Sequence, residues 1–122
     1  MRSLRWALLG ASDIAATRMI PAIESTGGRA VTVLSGSPGH AEAFATSQAI
    51  ERATTDLGAA LEGVDAAYIS SHNPKHAEQA QAALEAGVPV LCEKPITLDL
   101  GQAVDLIALA DSRGLVFGVN HH

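Results

Sequence analysis

Two short segments carry the residues best suited to chemistry. The first is Gly10-Ala11-Ser12-Asp13-Ile14-Ala15, which follows a compact apolar run ending at Leu9. Glycine allows a tight turn there, and Ala15 is small enough for close packing of the next helix on the strand. Backbone N–H groups at such a helix start face an anion, aided by the helix dipole. Ser12 stands where a second glycine lets the backbone approach a phosphate, and its hydroxyl is a donor. Asp13 would repel phosphates if it faced them, so it is expected to point to solvent and interact with the dipole. The second segment is Glu93-Lys94-Pro95. The chain has two lysines, Lys75 and Lys94. A lysine can hydrogen-bond a developing alkoxide or relay its proton, and Glu93 could orient it. On residue type alone the plainer reading is a surface Glu93–Lys94 pair, worth little.

Other polar groups cluster after apolar runs. Ser35-Gly36-Ser37 follows Ala30–Leu34 with no acid until Glu42. Sites that hold a ribose 2′-OH usually place Asp or Glu at this point. Ser35, Ser37 and His40 can supply donors, but no arginine stands ready for a 2′-phosphate. A polar loop without selectivity fits these residues nearly as well. Ser70-Ser71-His72-Asn73, then His76, follow the run Ala66–Ser70, and Asn120 follows Leu115–Val119. His76 serves equally as a helix-packing or capping histidine.

These segments need a frame to converge, and the chain supplies one. Strand-like runs are read at Leu4–Leu9, Ala30–Leu34, Arg52–Thr54 (weak), Ala66–Ser70, Val88–Cys92 and Leu115–Val119. Helices are read between them. Ile14–Ser25 has Pro21 as a kink or restart. His40–Ala49 follows the loop 35–39, and Leu57–Leu61 is short. Lys75–Ala86 starts from Asn73-Pro74 and stops at Gly87; a last helix runs from Asp99 to Arg113 and stops at Gly114. The strong strands are apolar on consecutive residues, the pattern of parallel strands buried on both faces. The expected fold class is α/β: one domain over residues 1–122, a doubly wound, mostly parallel Rossmann sheet of about six strands in the order 3-2-1-4-5-6. Ligands of such sheets bind at the carboxyl ends of the strands, where all the segments above lie.

Bulk properties narrow the classes. With 48% hydrophobic and 17% charged residues the chain can bury a core. A net charge of -5 and four aromatic residues give neither footprint nor platform for nucleic acid. The single Cys92 allows no internal disulfide and no cysteine cluster, and no metal site is expected. The apolar stretch Trp6–Ala11 is too short for a signal h-region, and no window suits a membrane helix. The expectation is a soluble, cytoplasmic protein with no membrane partner.

The combination resembles the Gfo/Idh/MocA family of NAD(P)-dependent oxidoreductases. Val90-Leu91-Cys92-Glu93-Lys94-Pro95 is similar to its EKP motif. Ser71-His72-Asn73-Pro74-Lys75-His76 is similar to its TPNxxH segment, and the stretches Ala77–Gly87 and Phe117–Asn120 fit. The resemblance runs over essentially the whole chain. It implies an NAD or NADP cofactor, with a slight lean to NADP from the missing acid. Gly10, Ser12 and Ile14 match the family's phosphate and ribose turn, and Ala11 and Asp13 are counted with them as cofactor-binding residues of that turn. Ser35 and Ser37 would face the adenosine ribose. Asn73 and His76 match positions after the fourth strand, where the Asn approaches the nicotinamide ribose, and Ser70, Ser71 and His72 are counted with them as cofactor-binding. Glu93, Lys94 and Asn120 would approach the nicotinamide, with Lys94 the catalytic residue. Departures are His72 in place of a proline and Ser12 in place of the second glycine. The resemblance further implies hydride transfer to or from a small carbinol or carbonyl substrate, such as a sugar or polyol. Most substrate contacts would come from a second domain absent from this chain, which alone is expected to lack turnover and to self-associate. Two other readings stay open: a stand-alone dinucleotide-binding module without catalysis, and a non-binding remnant that associates with a partner.

Overall fold

The computed structural model describes residues 4–12, 15–70, 76–93 and 108–120. Six strands form one sheet: β1 Arg5–Leu9, β2 Arg29–Leu34, β3 Arg52–Thr54, β4 Ala66–Ile69, β5 Val90–Glu93 and β6 Phe117–Asn120. Their order is β3-β2-β1-β4-β5-β6, and every neighbouring pair is parallel. This is the doubly wound order expected from the sequence. The chain switches direction across the sheet between β1 and β4, which opens a crevice at their carboxyl ends.

The consecutive apolar runs are explained by burial on both sides. Ala7 and Leu9 of β1, with Ala67 and Ile69 of β4, pack on one face with Ala80, Ala83, Leu84 and Ala110. Leu8 and Tyr68 point to the other face and meet Ile20, Ile23, Ala45 and Ile50. All four residues of β4 are buried. Side chains alternate across a strand, so only a strand apolar at every position can satisfy two helical layers.

The helices are α1 Ile20–Ser25, α2 Pro38–Gln48, α3 Leu57–Ala60 and α4 His76–Glu85. Residues 108–112 are also helical. A π-helical turn, Ala15–Met19, precedes α1. Pro21 has no N–H to donate, and the change from π to α register falls beside it, at Ile20. That is the restart the sequence suggested.

Helix ends show where the sequence reading shifts. The loop expected over 35–39 is shorter, because Ser37 caps α2 and Pro38 starts it. Pro38 costs nothing at the first helical position, where its missing N–H has no partner to lose. The strand expected from Val88 begins instead at Val90. Gly87, at φ 80°, donates to the Leu84 carbonyl, and Val88 donates to Ala83. This paired closure spends Val88 on the helix end rather than on the ladder. Leu115 does the same through Ala110, so β6 begins at Phe117 rather than Leu115. Ile50 closes α2 onto Ala45, but there the left-handed position is held by Ala49, at φ 57°. Among the described residues no helix is long and apolar enough to cross a membrane.

Candidate functional site

A cleft of about 530 Å³ opens at the carboxyl ends of the strands. Its walls come from five places in the chain. Gly10, Ala11 and Ser12 follow β1; Leu34, Ser35 and Gly36 close β2; Thr55 and Leu57 follow β3; Ser70 follows β4; Glu78 and Gln79 lie in the first turns of α4. Pockets for small organic ligands run from roughly 300 to 1,000 Å³. Among the described lining residues Glu78 is the one charged group.

The floor is the glycine turn. Gly10 has φ 126°, a conformation L side chains rarely adopt. Its N–H donates to the Leu34 carbonyl of β2 at 3.0 Å. The Ser70 N–H donates to the Leu9 carbonyl at 3.1 Å. The turn is thus stitched to the strands on both sides of the crevice. Ser12 is half-buried, and its hydroxyl accepts the Ala15 N–H at 3.1 Å. The Ser12 carbonyl accepts from Ala16 at 3.1 Å. Ser12 therefore caps the helical segment through both its hydroxyl and its carbonyl. The Ser12 and Ser70 hydroxyls lie 2.7 Å apart, and the Ser70 hydroxyl makes a long contact of 3.5 Å with the Gly10 carbonyl.

The wall at β2 is neutral. The Ser35 N–H donates to the Thr54 carbonyl at 3.1 Å, and the Ser35 hydroxyl accepts from the Ser37 N–H at 3.3 Å. The Ser37 hydroxyl accepts from the His40 N–H at 3.4 Å. Ser35 and Gly36 line the cleft, whereas Ser37 is a helix cap outside its lining. Both hydroxyls keep a proton to donate, since each uses a lone pair here.

Of the residues singled out in the sequence, Gly10, Ala11, Ser12, Ser35 and Ser70 come together in the lining of this cleft. His76 opens α4, while Glu93 and Asn120 end the neighbouring strands β5 and β6, paired in register. Asp13, Ile14, Ser71, His72, Asn73 and Lys94 lie outside the described residues. The sequence reading missed Thr55, Leu57, Glu78 and Gln79. Asp56 was the available signal: its carboxylate accepts the Ala59 N–H at 2.8 Å and caps α3 between Thr55 and Leu57. No group of three or more acidic, histidine or cysteine side chains suited to a metal occurs among the described residues.

A family model described as "Oxidoreductase family, NAD-binding Rossmann fold" matches residues 4–121. A 1,5-anhydro-D-fructose reductase from Ensifer adhaerens is 42% identical over 120 residues, 97% of this chain and 36% of that protein. An inositol 2-dehydrogenase from Rhodococcus erythropolis is 36% identical over 109 residues, 87% of this chain and 32% of its own length. A 3-ketoreductase from Actinomadura kijaniata, solved with TDP-benzene and NADP, superposes with a TM-score of 0.87 at 34% identity. It is covered over 98% of this chain and 38% of that one. The chain therefore spans about a third of the length of the relatives it matches.

Proposed function

Since the chain belongs to the Gfo/Idh/MocA oxidoreductase family with an NAD-binding Rossmann fold, we propose that it binds a nicotinamide dinucleotide in the cleft at the carboxyl ends of its strands. The observation that carries this reading is the Gly10 turn: a positive-φ glycine, held by β2 and β4, beside a helix start capped by its own serine. The cleft suits the ligand in kind. Among the described residues its lining carries no cation, so in this reading the pyrophosphate is held by backbone N–H groups of the turn. Leu57 and Leu34 give apolar surface to a base, and the Ser35 hydroxyl gives a donor to a ribose.

The proposed whole protein is an oxidoreductase that moves a hydride between nicotinamide and a carbinol or carbonyl carbon, on a sugar or polyol. The reductase of anhydrofructose and the dehydrogenase of inositol support that class. When bound, the nicotinamide ring supplies the carbon that gives or takes the hydride. The chain's own residues orient and polarise. β5 and β6 end together at Glu93 and Asn120, and Lys94 is the next residue after β5. In this reading Lys94 donates to the substrate oxygen as charge develops, and Glu93 orients it. Ser71, His72, Asn73 and His76 border the nicotinamide ribose. Substrate contacts beyond Lys94 belong to parts of the protein outside this chain, and in this reading the chain alone self-associates through the face those parts would cover. The protein works in the cytoplasm.

For the cofactor we favour NADP over NAD. No carboxylate stands at the end of β2 to repel a 2′-phosphate, and Ser35 with His40 can donate to one. The ketoreductase relative was solved with NADP. Titration with NADPH and NADH, followed by nicotinamide fluorescence and energy transfer from Trp6, tests both points. Saturable binding with NADPH the tighter supports the reading. Tighter NADH reverses the preference, and binding of neither at millimolar concentration refutes the site.

A further inference from the structure

We infer that Ser70 is a positioning residue for the phosphate turn, acting through the Ser12 hydroxyl, and that Ser12 itself does not donate to the phosphate. The inference rests on the cofactor reading above and deepens it. Its ground is a count of protons. The Ser12 hydroxyl already accepts the Ala15 N–H. It lies 2.7 Å from the Ser70 hydroxyl, and either oxygen can be the donor. Ser70 has a second acceptor, the Gly10 carbonyl at 3.5 Å. If Ser70 gives its one proton to Gly10, Ser12 must give its own to Ser70. The result is a closed relay: Ala15 N–H to Ser12, Ser12 to Ser70, Ser70 to the Gly10 carbonyl.

Two consequences favour this direction. Every polar group of the relay is satisfied, as half-buried groups require. The relay also holds the negative end of the Gly10 carbonyl toward β4. Released, that dipole would be free to turn toward the pyrophosphate and oppose it. A serine in place of the second glycine is then no obstacle. Its hydroxyl is already engaged by the helix it caps and by Ser70.

The test compares Ser12→Ala, Ser70→Ala and the double variant of the protein, with Ser70→Thr as the conservative control. Dissociation constants for NADPH and NADH are measured well below the melting temperature, and melting curves are recorded alongside. One neutral hydrogen bond lost at the turn predicts about three- to tenfold weaker binding in each single variant. The double variant should be no weaker than the weaker single one, because both break the same relay. Ser70→Thr keeps a hydroxyl and should restore binding to about the starting value. Melting should fall further in Ser12→Ala, which also loses a cap. Weaker binding in Ser12→Ala with unchanged binding in Ser70→Ala would overturn the inference, since Ser12 would then be a direct phosphate donor. So would multiplied losses in the double variant, or lowered melting with unchanged binding throughout. Those results would leave the cofactor reading standing. Absence of binding by the unsubstituted protein would overturn that reading and this inference with it.

Discussion

The glycine turn makes its strongest demand on Gly10, and Gly10→Ala measures it. At φ 126° the residue lies beyond the left-handed helical region that Asn or Asp can visit. Forcing a side chain into such a region costs about 1–3 kcal/mol. The variant recovers about 0.4–1 kcal/mol, because alanine leaves fewer unfolded conformations to lose. The net loss of stability is therefore about 0.5–2.5 kcal/mol. For a chain of 122 residues this lowers the melting temperature by about 2–10 °C. The alternative is that the turn relaxes and gives up its bonds to Leu34 and Ser70. Binding must then restore the native turn, and the same 1–3 kcal/mol appears as about five- to 150-fold weaker affinity. Differential scanning fluorimetry reads the first quantity, and titration with NADPH the second. A variant with unchanged melting and unchanged affinity would refute the claim that this backbone conformation is needed. Lower melting with native affinity would mean that the strained turn keeps its conformation, and weaker affinity that it relaxes.

Three further substitutions test the frame. Ala49→Gly should stabilise the protein by about 0.5–1 kcal/mol, since Ala49 occupies a left-handed position at the end of α2 that glycine takes freely; chemical denaturation gives the value. Thr32→Val should be neutral or stabilising by up to about 2 kcal/mol, because the Thr32 hydroxyl is buried without a hydrogen-bond partner; a clear loss of stability would mean it has one. Asp56→Ala should cost about 1 kcal/mol through the lost cap of α3, and should weaken cofactor binding only modestly, because α3 presents Leu57 to the cleft.

The sheet order was legible because its signals are redundant. β1, β2 and β4 bury apolar side chains on both faces, and that requirement writes itself into consecutive positions. The errors share one cause: a buried apolar residue does not reveal which element buries it. Val88 is 4% exposed and looks like the first residue of a strand, yet its N–H closes α4. Leu115 repeats the case after Gly114. At Ser37-Pro38-Gly39 the ambiguity is of another kind. Serine, proline and glycine mark a turn, and serine followed by proline equally marks a helix start. Only the packing of Ala41 and Ala45 against the sheet decides.

The site divides in the same way. Residues that follow a strand directly, Gly10 to Ser12, Ser35 and Ser70, were legible from topology alone. Glu78 and Gln79 were not, because reaching the cleft depends on how α4 is rotated about its axis. That rotation is set by Ala80, Ala83 and Leu84 burying against β4 and β5. Three buried positions fix which of their neighbours face the crevice, so the core of α4 dictates part of the cleft wall. A substitution such as Ala83→Leu, remote from the cleft lining, would overpack this contact and shift the helix. It is expected to cost about 1–3 kcal/mol and to move Glu78 and Gln79 with it. If dinucleotide affinity survived that change intact in a folded variant, the α4 wall would be a boundary of the cleft and not a part of the binding surface.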